Sequence, residues 1–78
     1  MNKRSLKTLA KDYGVEDFRE CIYEACINGY PKLVVERFHL MRVSDRKDFL
    51  TKLVEDMDTI DNSIQKKVLL ILIQHIRL

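Results

Sequence analysis

Cys21, Cys26 and His39 are spaced C-x4-C-x12-H, which begins like the ligand set of a zinc finger. A finger needs a fourth ligand within about five residues of the first histidine, and the next histidine is His75. The two cysteines also fall on one helical stretch, where five residues of rotation set their sulfurs about 140° apart. They are therefore expected to be small buried hydrophobes, with neither a metal nor a disulfide between them. Glu55, Asp56, Asp58 and Asp61 form an acidic cluster. A calcium loop counted from Asp56 would want glycine at its sixth position and glutamate at its twelfth, where the chain has Asp61 and Lys67. A solvated helix corner is the expectation for this cluster, with docking of a basic partner as the functional alternative. Ser5, Ser44 and Ser63 sit in no nucleophile elbow, and His39 and His75 lack a carboxylate at a spacing that would orient them. No enzyme and no cofactor is expected.

The elements that must carry these residues are helices. Two glycines and one proline among 78 residues leave too little punctuation for a sandwich or barrel of many turns, and no room for a phosphate-binding glycine loop. Leu6, Leu9, Ala10 and Tyr13 share one helical face, and Gly14 follows as a left-handed stop, giving a first helix over 4–13. Phe18, Cys21, Ile22, Ala25 and Cys26 repeat the spacing behind Glu16 and Asp17, giving a second helix over 16–28. Asn28-Gly29 breaks it, and Pro31 suits the first turn of a third helix over 31–41, with Leu33, Val34, Phe38 and Met41 as its stripe. Ser44 is the expected N-cap of a fourth helix over 45–58, with the stripe Phe49, Leu50, Leu53, Val54 and Met57. Asn62 and Gln65 resemble a capping box before a fifth helix over 63–77. The fold class is thus all-α, a compact bundle of about five short helices in a single domain spanning 1–78.

The fifth helix differs from the rest because Val68 to Ile73 is apolar on every side. Its Ile64, Val68, Ile71, Leu72 and His75 make one face, while Leu69, Ile73 and Ile76 make a second, and an ordinary surface helix buries only one. The second face is expected to meet a protein partner or its own copy in a homodimer, with burial by the other four helices of a single chain as the alternative. The run is far short of the ~20 residues that span a bilayer, so no membrane is expected. After Met1 the chain passes straight into an amphipathic pattern without an apolar leader, and its cysteine usage suits a cytoplasmic, reducing setting.

The net charge of +2 is gathered at the start, where Lys3, Arg4, Lys7 and Lys11 face only Asp12. Lys3, Lys7 and Lys11 recur every four residues and should line one side of the first helix as a docking stripe extended by Arg4. Leu9, Ala10, Tyr13, Gly14 and Val15 resemble the first helix and turn of a helix-turn-helix motif. That resemblance implies a DNA-binding transcription regulator using the basic N-terminal residues. The second helix departs from the motif, since it carries Glu16, Asp17, Glu20 and Glu24 against Arg19. Ile22, Ala25, Asn28, Gly29 and Leu33-Val34-Val35 resemble the central hairpin of an ankyrin repeat, over residues 22–38. This implies an antiparallel pair of helices around a tight turn, in a family that binds other proteins. Tyr30 and Pro31 replace the usual His-Leu, and no second repeat follows.

The function expected from the sequence is a small non-catalytic protein–protein interaction module, an adaptor or regulator of a larger partner. Its candidate contact residues are Lys3, Arg4, Lys7, Lys11, Leu69, Ile73 and Ile76. The helix-turn-helix regulator is the alternative.

Overall fold

Ser5 closes the start of the first helix, with its Oγ accepting the Thr8 N–H at 3.2 Å. In the computed structural model, which describes residues 3–58 and 63–75, α1 accordingly runs Leu6–Tyr13. It ends on Gly14 at φ 67°, a left-handed position that glycine occupies without cost. Asp17 delays the second helix. Its carboxylate accepts the Arg19 N–H at 3.0 Å and its carbonyl accepts the Glu20 N–H at 3.0 Å, so α2 is Arg19–Ile27 and Glu16 stays in the preceding turn.

Gly29, at φ 79°, reverses the chain, and Pro31 opens α3 (Pro31–Leu40) with no N–H to leave unpaired. Arg37, late in α3, donates to the carbonyl of Cys21, early in α2, so the two helices are antiparallel. The same guanidinium lies 5.8 Å from the Tyr13 ring centre, tying α1 to the pair.

Met41 is extended, fully buried, and bridged in parallel to Arg4, whose N–H donates to the Leu40 carbonyl at 3.1 Å. From that pinned point the chain turns directly into α4 (Val43–Glu55), capped by the backbone of Arg42. Ser44 therefore lies inside the first turn and caps nothing, contrary to expectation. A 3-10 turn, Asp56–Asp58, follows, and α5 is Ser63–His75. The expected Asn62 cap and Ile76 lie outside the described residues.

The α2–α3 hairpin packs on α5, which also receives α4. Phe18, Ile22, Val34, Met41, Phe49, Leu53, Val68 and Leu72 form the centre of the core, each essentially inaccessible to water. Each such side chain stabilises the fold by about 1.5–3 kcal/mol relative to exposure. Phe49 of α4 joins the hairpin through ring contacts at 5.7 Å to Tyr23 and 6.2 Å to Phe38. The expected α4 stripe is trimmed at one side: Phe49 and Leu53 are buried and Leu50 is half-buried, while Val54 and Met57 face solvent.

Candidate protein-interaction surface

α5 has apolar residues on every side, and the bundle decides which of them it covers. Val68, Leu69 and Leu72 go into the core. Leu69, placed by its sequence spacing on the same face as Ile73, is only 8% exposed because its own chain covers it. The uncovered apolar side chains of α5 are Leu70, at 58%, and Ile73, at 60%. On α2 and the turn that follows it, Ile27 is 63% exposed and Tyr30 is 59% exposed.

A groove of about 430 Å³ joins these two regions, with Pro31 and Cys26 on the hairpin side and Leu70 and Ile71 on the α5 side. Lys67, Gln74 and His75 form its polar margin. A second groove of about 500 Å³ continues from the shared Gly29 and Pro31 along Tyr30 and Leu33. Gly29 opens both grooves by turning the backbone sharply at the end of α2. The sequence spacing missed Ile27, Tyr30 and Leu70. Ile27 lies off the α2 stripe beside Asn28-Gly29, which was a signal available in the sequence, whereas nothing in a uniformly apolar run distinguishes Leu70 from Leu69.

The basic N-terminal residues divide. Lys3 precedes α1 and so does not share a helical face with Lys7 and Lys11; its ammonium donates to the His39 carbonyl near the end of α3. A cation there also suits the negative end of the helix dipole. Arg4 pairs with Asp12 across α1. Lys7 and Lys11 are exposed on α1 and remain available to an acidic surface. On α2, Glu20 and Glu24 are exposed, and Arg19 is held by Asp17 through a contact of 2.8 Å between Nη2 and Oδ2. This pairing keeps the Asp17 carboxyl below its ordinary range and raises the Arg19 guanidinium further.

The thiols are unpaired, Cys21 buried and Cys26 half-buried. Burial pushes both upward, so both stay protonated and weakly nucleophilic at neutral pH. His39 donates from Nδ1 to the Val35 carbonyl at 2.9 Å, and His75 does the same to Ile71, also at 2.9 Å. Each ring is thus folded back on its own helix. Among the described residues no three His, Cys, Asp or Glu side chains gather closely enough to hold a metal. No described helix is long and apolar enough to cross a membrane. No protein-family model, no curated protein and no solved structure matches the chain.

Proposed function

We propose that the protein is a small non-catalytic interaction module, an adaptor or regulator of a larger partner protein in the cytoplasm. One observation carries this: Tyr30 and Leu70, large apolar side chains each more than half exposed, line adjoining grooves between α5 and the α2–α3 turn, and Ile27 and Ile73, equally exposed, lie on the helices α2 and α5. Scattered exposed hydrophobes need no explanation, but a grouped set beside a concave surface marks a place where another surface sits. Against a role in DNA binding stand the engagement of Lys3 and Arg4 within the fold and the exposed carboxylates of α2, which would meet phosphates unfavourably.

Affinity capture from cells that express the protein tests the proposal. A specific partner should be retained by the parent chain and by a variant carrying Lys7→Glu and Lys11→Glu, and lost with Ile73→Glu. Retention by Ile73→Glu and loss with the lysine changes would move the contact to α1. Salt-sensitive retardation of duplex DNA without any captured protein would favour the regulator instead.

A further inference from the structure

The floor and the rim of the α5 groove differ in chemistry, and the difference selects a class of partner. The floor is apolar, built from Cys26, Pro31, Leu70 and Ile71 and continuing to Tyr30 and Leu33. Lys67 lines the α5 groove, and Lys32 lines the groove that continues from it past Gly29 and Pro31, with Glu36 the acidic residue there. From Ser63 to His75 α5 contains Lys66 and Lys67 and no Asp or Glu. Neither Lys32 nor Lys67 pairs with a carboxylate among the described residues. The charge of Lys67 reaches the groove floor, where it acts on the Cys26 thiol in opposition to burial.

On the interaction function proposed above, we infer that this groove receives an amphipathic helix from an acidic partner, its apolar face on Leu70 and Pro31 and its carboxylates against Lys32 and Lys67. An apolar stripe seated in a groove supplies affinity, and flanking charge of the opposite sign supplies orientation and partner choice. A second copy of the chain fits this face less well. A two-fold contact would set two like patches together, and α5 would bring lysines from both copies and no carboxylate from either.

The test uses the full chain and two synthetic helices of about 16 residues, each with leucines at i, i+3, i+4 and i+7. One carries glutamates along both flanks of the stripe, the other lysines. Fluorescence anisotropy with labelled peptide should show the glutamate helix binding roughly tenfold tighter at low salt, a gap that narrows as salt rises. Changing Lys32 and Lys67 together to glutamate should reverse the preference, and Leu70→Glu should abolish binding of both peptides. All three positions are exposed, so the variants should keep the parent circular dichroism spectrum. Equal binding of both peptides, abolished by Leu70→Glu, would overturn the acidic partner while leaving an interaction surface in place. A dimer of the unliganded chain in sedimentation equilibrium, dissociated by Leu70→Glu, would overturn it in favour of a second copy. If neither peptide binds, the inference fails, and whether the interaction function fails with it is read separately from the loss or retention of the captured partner in Ile73→Glu.

Discussion

α4 and α5 are both 13 residues long and pack on each other, yet they present surfaces of different charge to water. α4 buries Phe49 and Leu53 and exposes Val43 and Val54 together with Lys47, Asp48, Thr51, Lys52 and Glu55, a face that carries both charge signs. α5 buries Val68, Leu69 and Leu72 and exposes Lys66, Lys67, Leu70, Ile73, Gln74 and His75, a face with aliphatic side chains and no carboxylate. Both helices supply what the core requires. Both helices leave apolar side chains outside the core, but Val43 and Val54 of α4 share their surface with charges of both signs, whereas Leu70 of α5 lines the groove that the α2–α3 turn helps to form. The lesson is that apolar content separates into two demands, one for folding and one for a neighbour, and that the division is made by the packing of the other helices.

The largest expected effect sharpens the folding half of the comparison. Leu53→Ala on α4 removes a fully buried side chain and should destabilise the domain by about 2–5 kcal/mol in urea melts. A domain this small then sits near the edge of unfolding. A loss below about 0.5 kcal/mol would place α4 outside the core.

A smaller effect is expected where charge, rather than packing, organises a helix start. Asp17→Asn keeps an oxygen for the Arg19 N–H but removes the ion pair, and because both partners are partly exposed the cost should be about 0.5 kcal/mol at neutral pH. The folded Asp17 carboxyl lies below its ordinary 3.8, so its contribution is whole above that value and is lost as acid protonates the folded form. Urea melts taken from neutral pH downward should show the gap between parent and variant closing below 3.8. A gap that persists unchanged into acid would show that the ion pair does not stabilise the fold.

The smallest effect on stability is expected on α5 itself. Leu70→Glu and Ile73→Glu change large apolar side chains, but exposed ones, and each should shift the free energy of unfolding by less than about 0.5 kcal/mol. A loss of about 2 kcal/mol at either position would break the comparison by showing that α5, like α4, serves only the fold.

The helices themselves were legible in the sequence. Gly14, Gly29 and Pro31 punctuate the chain where left-handed or fixed backbone angles are required, and the stripes of α1 to α3 repeat at helical spacing. The start of α4 was not legible, because it depends on Met41 being pinned to Arg4, a contact between residues far apart in the chain. Lys3 was misplaced on the first helix for a related reason: Ser5 caps α1 after it, and the segment before the cap runs instead to the end of α3. On α5 the sequence showed surplus apolar surface without its direction. A run from Val68 to Ile73 has no polar residue to set the phase of a stripe, so whether Leu69 or Leu70 faces water is decided only by the positions of α2, α3 and α4.

The difference between the two helices can be read in one measurement, photo-crosslinking in cells that express the protein, with a benzophenone side chain placed at Ile73 of α5 or at Thr51 of α4. Both positions are exposed, and neither substitution should disturb the core. A discrete adduct to another protein from position 73, with none from position 51, is the predicted result. No adduct from position 73, or the same adducts from both positions, would contradict the assignment of the α5 face to a partner.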